Sequence, residues 1–171
     1  MIIVDVIVLI IIYFLVFLRK WIKKGPVNFI INTLMYIYVS FVLYFTLMPI
    51  ITSIPDIFNH TYQIMNMELF GDYFNGKGDA VRQIVLNVIM TIPFGFFMGI
   101  ITKKNILWCI LYTFIFSACI ELIQPLIHGT RTSDITDIVT NVIGGTIGYI
   151  FYFIFSPIIN RIIIFDERKN F

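Results

Sequence analysis

ILWCILYTFIFSACIELIQPLI, residues 106–127, decides what kind of molecule this is. At ~1.5 Å rise per residue it is long enough to cross the ~30 Å hydrocarbon core of a bilayer as one helix. Yet it carries Glu121 and Gln124 near its end. A carboxylate at the centre of a bilayer costs about 2.5–3.5 kcal/mol on insertion scales, so intramembrane acids usually face a protein interior and act there. Immediately beyond comes the most polar run of the chain, Arg131-Thr132-Ser133-Asp134-Ile135-Thr136-Asp137, and the next apolar run opens with Asn141.

Working outward, four more stretches approach or exceed the length of a membrane span: Ile2–Leu18, Val27–Met48, Ile84–Ile101 and Ile138–Phe155. The 171 residues are 59% hydrophobic and only 13% charged, a composition that a soluble domain could not bury. The expected fold is therefore an all-α integral membrane protein, a five-transmembrane-helix bundle forming a single domain over residues 1–171. A net charge of +2 without a basic aromatic stripe gives no sign of a nucleic-acid partner. Cys109 and Cys119 lie about 15 Å apart along one helix, too far for a mutual disulfide.

Charge sets the expected orientation. Arg19, Lys20, Lys23 and Lys24 follow the first span, Lys103 and Lys104 occupy a tight turn, and Arg161, Arg168 and Lys169 lie in the tail. With the N-terminus outside and the C-terminus cytoplasmic, all of these fall inside the cell, leaving only Lys77, Arg82 and Arg131 outside. The positive-inside rule selects that arrangement, with a first span that is retained rather than cleaved. The outer face then holds a long extracytoplasmic loop, residues 49–83, and the short polar run after the fourth span. Within the long loop, Ile54, Phe58, Met65 and Leu69 fall near one helical side, which predicts a short interfacial helix over Ile54–Phe70.

Polar residues converge at one depth on three spans. Asn87 lies about a turn inside the third, Glu121 and Gln124 end the fourth, and Asp137 and Asn141 open the fifth. Ser117, Glu121, Gln124 and His128 share a helical face, and so do Arg131, Asp134, Asp137 and Asn141 if the fifth helix starts early. One shared outer pocket is the economical reading. Glu121, Asp134 and Asp137 are its candidate catalytic residues; Arg131, Gln124, Asn87 and Asn141 are candidates for binding substrate. Plainer roles stand beside these. Asp134 and Asp137 would serve to cap the fifth helix, Glu121 would serve as the buried ion partner of Arg131, and Asn87 would satisfy backbone freed by Pro93. No zincin or serine-hydrolase motif is present, and the pattern requires no cofactor. A metal held there would sit on oxygen ligands and would be a hard divalent ion such as Mg²⁺ or Ca²⁺.

Gly95 with Gly99, and Gly144 with Gly148, form GxxxG pairs at similar depth in the third and fifth spans. Small residues let helix backbones approach closely in lipid. Spans three to five (residues 84–155) are thus the expected core, with residues 2–48 as an apolar scaffold whose exposed faces would suit a homodimer.

Asn87, then Ile92-Pro93-Phe94-Gly95-Phe96, Glu121-Leu122-Ile123-Gln124, Arg131 through Asp134 to Asp137, and Asn141 with Gly144-Gly145 and Gly148 together resemble the VanZ-like family over Asn87–Tyr149. That family's pattern runs as an Asn, a Pro-Phe/Leu-Gly, a Glu-x-x-Gln, an Arg-x-x-Asp-x-x-Asp and an Asn-x-x-Gly. The resemblance implies a multi-pass protein of the bacterial plasma membrane with a role in tolerance of teicoplanin. This lipid-tailed glycopeptide binds cell-wall precursor at the membrane's outer face. Membrane lipids, a lipid-linked cell-wall precursor or the lipoglycopeptide itself are the partners so implied, and the resemblance supplies no established reaction. A non-enzymatic role, sequestering the drug or a partner protein, is the alternative.

Overall fold

A computed structural model describes residues 2–57, 59, 61–127, 129 and 131–169. The helices are α1 (Ile2–Ile12), α2 (Arg19–Ile22), α3 (Pro26–Thr46), α4 (Gly71–Phe74), α5 (Ala80–Thr102), α6 (Ile106–Ile127) and α7 (Ile135–Lys169). A π-helical segment, Tyr13–Leu18, joins α1 to α2, so the first span is continuous over Ile2–Ile22 rather than ending at Leu18. Among the described residues, five helical segments are long and apolar enough to cross a membrane. No strand forms among the described residues; a single parallel bridge pairs Asn66 with Asp134.

The last span also departs from its expected limits. Hydropathy predicts its end at Phe155, but the helix runs on through Pro157 to Lys169. The extension is held by packing that hydropathy does not see. Ile163 is buried with Ile100 and Tyr152, against Val27 and Ile31. At its far end an Asp166 carboxylate oxygen accepts the Val27 backbone N–H at 3.1 Å, capping the start of α3 from outside that helix. The same end of the bundle holds Lys104, whose carbonyl accepts the Tyr149 hydroxyl at 3.1 Å. One end of the molecule therefore gathers the basic connections Arg19–Lys24 and Lys103–Lys104, and the acids of the polar run lie at the other.

The glycines explain why α5 and α7 make the most extensive helix contact. A Cβ on Gly95 would strike the Gly145 carbonyl, one on Gly144 the Val88 carbonyl, and one on Gly148 the Ile92 carbonyl. Three backbone approaches on one seam require residues without side chains. Helix α6 lies in the same groove, where Gly145 leaves room for Thr113 and Phe94 stacks on Phe116 with ring centroids 4.5 Å apart. Helix α3 packs outside α5. Its Tyr38 hydroxyl donates to the Met90 carbonyl at 2.7 Å, in the turn that Pro93 loosens by lacking an N–H.

The expected interfacial helix over Ile54–Phe70 does not form among the described residues. A 3₁₀ segment, Ile51–Asp56, covers only its first residues, and residues 61–68 are irregular. The reason is local competition from Asn66. Its side-chain oxygen accepts the Glu68 N–H at 3.0 Å, and its backbone pairs outward with Ser133 and Ile135 instead of within a helix. Phe58 of that expectation lies outside the described residues.

Candidate functional site

The site is assembled where the start of α5, the end of α6 and the start of α7 meet. Asp134 stands just before α7, and its Oδ1 accepts the Thr136 N–H at 2.7 Å as a helix N-cap. Its other oxygen, Oδ2, accepts Asn66 Nδ2 at 3.0 Å. The backbone of Asn66 adds two bonds across the same loop, its N–H to the Ser133 carbonyl at 2.8 Å and its carbonyl from the Ile135 N–H at 3.0 Å. The capping reading of Asp134 is thus correct, and the outer loop is what holds the cap.

Glu121, only 3% exposed, faces this loop from α6. Its Oε2 accepts the Asp134 backbone N–H at 3.0 Å, and its own carbonyl accepts the Ser133 hydroxyl at 2.5 Å. A buried ion pair with Arg131 is not what holds it. Lys77–Asp72 and Arg82–Asp79 are ion pairs at exposed positions, and neither involves Glu121 or Arg131. Arg131 is itself exposed, on the loop before α7 rather than on that helix, so it does not continue the Asp137–Asn141 face. It remains within electrostatic range of Glu121 and Asp137.

One turn further along, α7 is tied to both neighbours. Asp137 Oδ1 accepts Asn87 Nδ2 from α5 at 2.6 Å. Asn141, four residues on and 3% exposed, donates from Nδ2 to Ser117 Oγ of α6 at 2.8 Å. Its backbone carbonyl accepts the Thr91 hydroxyl of α5, also at 2.8 Å. Asn141 Oδ1 is buried with no hydrogen-bond partner. Leaving such an acceptor unpaired in a low-dielectric interior costs about 1–3 kcal/mol, so the atom asks for a donor.

The structure therefore brings Glu121, Asp134, Asp137, Asn87 and Asn141 together, and it sets two candidates apart. Gln124 reaches the other way, its Nε2 donating to the Thr46 carbonyl at the end of α3 (3.3 Å), where it satisfies a carbonyl with no helical partner. Arg131 stands at the rim. His128 lies outside the described residues. Among those described, no three His, Cys, Asp or Glu side chains converge closely enough to hold a metal by themselves.

Reasoning from sequence missed Asn66, Ser133, Thr136 and Thr91. Thr91 lies one turn after Asn87 on the same face of α5 and was findable from that stripe, whereas Asn66 and Ser133 reach the site only through the folded loop. Thr136 also holds the outer loop, since its hydroxyl accepts the Phe70 N–H at 2.9 Å. Phe70 adopts a left-handed conformation with φ 56°, strained for a residue with a Cβ, directly beside this contact. Asp5 was missed as well, although an acid in a first span is a signal in its own right. It is 3% exposed and accepts the Ile50 and Ile51 N–H groups at 3.2 and 2.9 Å.

Fold and site define a multi-pass helical membrane protein with a buried carboxylate–amide cluster at one end of its glycine-packed core. The chain belongs to the VanZ/LLP1 family, whose model matches residues 35–156. It is 28% identical over 138 residues to Protein VanZ of Enterococcus faecium, a match covering 77% of this chain and 82% of that protein. No solved structure matches it. The family match begins within α3, so it reaches well before the Asn87–Tyr149 stretch in which the motifs are legible.

Proposed function

We propose that this protein contributes to glycopeptide (teicoplanin) tolerance in the bacterial plasma membrane by binding or acting on a lipid-linked envelope component. An undecaprenyl-phosphate-linked precursor is the favoured class. The site faces outward on this reading, because the basic connections gather at the opposite end of the bundle and would lie in the cytoplasm. The observation that carries it is Glu121: a buried carboxylate in an apolar helix, held by a single backbone N–H and within electrostatic range of Asp137. Glu121 and Asp137 are then the reactive or ligand-facing acids, Asp134 and Asn66 position them, and Arg131 meets a phosphate at the rim through its planar fork. Family membership supports the resistance role, and it names no reaction.

Replacing Glu121 by Gln tests this directly. The expected result is loss of teicoplanin tolerance with membrane levels of the protein unchanged; retained tolerance at equal level would sink the proposal. The outward orientation is checked in whole cells, in a Cys109→Ala, Cys119→Ala background. Arg131→Cys is expected to react with a membrane-impermeant maleimide and Lys104→Cys is not; the reverse pattern would invert the topology.

One observation favours the non-enzymatic alternative enough to state it. A groove of ≈ 480 Å³ runs between α1 and α3, lined by apolar side chains such as Val6, Ile10, Phe14, Ile37 and Phe41. It is of a size to hold an acyl chain. Were tail sequestration the mechanism, filling the groove with Ser40→Trp would abolish tolerance and Glu121→Gln would leave it intact.

A further inference from the structure

The hydrogen-bond pattern of the site leaves its acceptors in excess. Both oxygens of Asp134 are taken, by Asn66 Nδ2 and the Thr136 N–H. Asn87 Nδ2 is spent on one oxygen of Asp137, and the Asp134 N–H on one oxygen of Glu121. The hydrogen bonds that hold Glu121 and Asp137 among the described residues engage Oε2 and Oδ1 respectively, one oxygen of each acid, and the buried Asn141 Oδ1 has no partner. These atoms belong to one locus. Asp137 and Asn141 are one turn apart on α7, Ser117 and Glu121 one turn apart on α6, and the Asn141–Ser117 hydrogen bond joins the two faces. The orphaned amide oxygen thus lies in the helix seam one turn below the two carboxylates.

An acceptor-only locus with two carboxylates calls for a cation. It is not a closed cage, since no three acids converge on a metal by themselves. Mg²⁺-type ions are commonly held in just such incomplete sites, by one or two carboxylates, retained waters and the phosphates of a bound ligand. Resting on the reading above that the ligand is a phosphate-bearing lipid, we propose that the site takes a divalent cation together with a lipid diphosphate. Glu121 and Asp137 bind the ion from the protein side, and an ion-bound water donates to Asn141 Oδ1. The diphosphate completes the coordination from the rim, where Arg131 receives its remaining charge. The protein therefore binds metal and lipid diphosphate cooperatively and each weakly alone.

The test uses the full chain in nanodiscs, with Mn²⁺ as the ion and farnesyl diphosphate as a short lipid diphosphate. Binding is read from loss of the free-Mn²⁺ electron paramagnetic resonance signal. Farnesyl diphosphate is expected to tighten Mn²⁺ binding at least tenfold, and inorganic pyrophosphate to do markedly less. Glu121→Gln and Asp137→Asn each lose the coupled binding at least tenfold, as does Asn141→Leu. Asn141→Asp, which keeps an acceptor oxygen in the same place, retains it, as does Cys119→Ala at an exposed position. Farnesyl diphosphate that binds equally well in excess chelator overturns the cation and leaves the proposed function standing. Equal coupling by pyrophosphate overturns the lipid assignment. Absence of any farnesyl diphosphate binding overturns both this inference and the reading on which it rests.

Discussion

The two ends of the chain are both helical and apolar, and they are held together by different means. In the α5–α7 seam, backbones touch at Gly95–Gly145, Gly144–Val88 and Gly148–Ile92, and side-chain amides and hydroxyls cross between helices. Against it, α1 meets α3 through aromatic rings and hydroxyls, Tyr13 to Thr33 at 3.0 Å and Tyr36 to the Leu9 carbonyl at 2.7 Å, around an open groove. Phe17 stacks on Trp21 with centroids 4.7 Å apart, and much of α1 is exposed, Ile3 to 71%. In lipid there is no hydrophobic drive between helices, so close packing and hydrogen bonds must do the joining. The difference teaches where close packing is placed: around the acids, while the N-terminal pair leaves an open apolar groove.

The strongest blow to this contrast is a side chain in the seam. Gly95→Leu is expected to destabilise by roughly 3 kcal/mol or more, because the Gly145 carbonyl cannot move away without separating α5 from α7. Thermal melting in detergent checks it; Ile10→Leu, in the groove, should be nearly silent by the same measurement. A smaller loss follows from Asn87→Ala. Asp137 then loses its donor from α5, at an expected cost of about 1–3 kcal/mol in the same melt, and teicoplanin tolerance falls with it. The smallest effect sharpens the comparison from the other side. Asp5→Asn weakens two hydrogen bonds between α1 and the Ile50–Ile51 turn, for about 1 kcal/mol, and tolerance is expected to persist. Loss of tolerance in that variant, at normal protein level, would mean that α1 takes part in the site.

Much of the bundle is legible in the chain because lipid imposes simple rules. Length and hydropathy are enough for five spans, and the paired GxxxG motifs point to the right seam. The acids of the site are legible too, since Glu121 is costly wherever it lies in the membrane. What could not be read was direction. Gln124 shares a helical face with Glu121 yet turns toward Thr46 of α3, because the end of α3 offers an unpaired carbonyl there. Arg131 was aligned with Asp137 on the assumption of an early helix start, but the Asp134 cap begins α7 after it. The extended α7 was hidden because its last turns are held by contacts to α3 and α5 rather than by their own hydropathy.

The sequence by itself determined the class of molecule, the identity of the seam and the depth of the acids, for these follow from one-dimensional properties: apolar length, small-residue spacing and the cost of charge in lipid. Only the tertiary structure decided which acid is a cap and which is held by one oxygen. That assignment depends on Asn66, 68 residues from Asp134, folding across the start of α7 and donating to Asp134 Oδ2. A hydrogen bond between residues so far apart leaves no local pattern, and it is the use or sparing of such donors that separates the capping acid from the two acids with only one oxygen engaged.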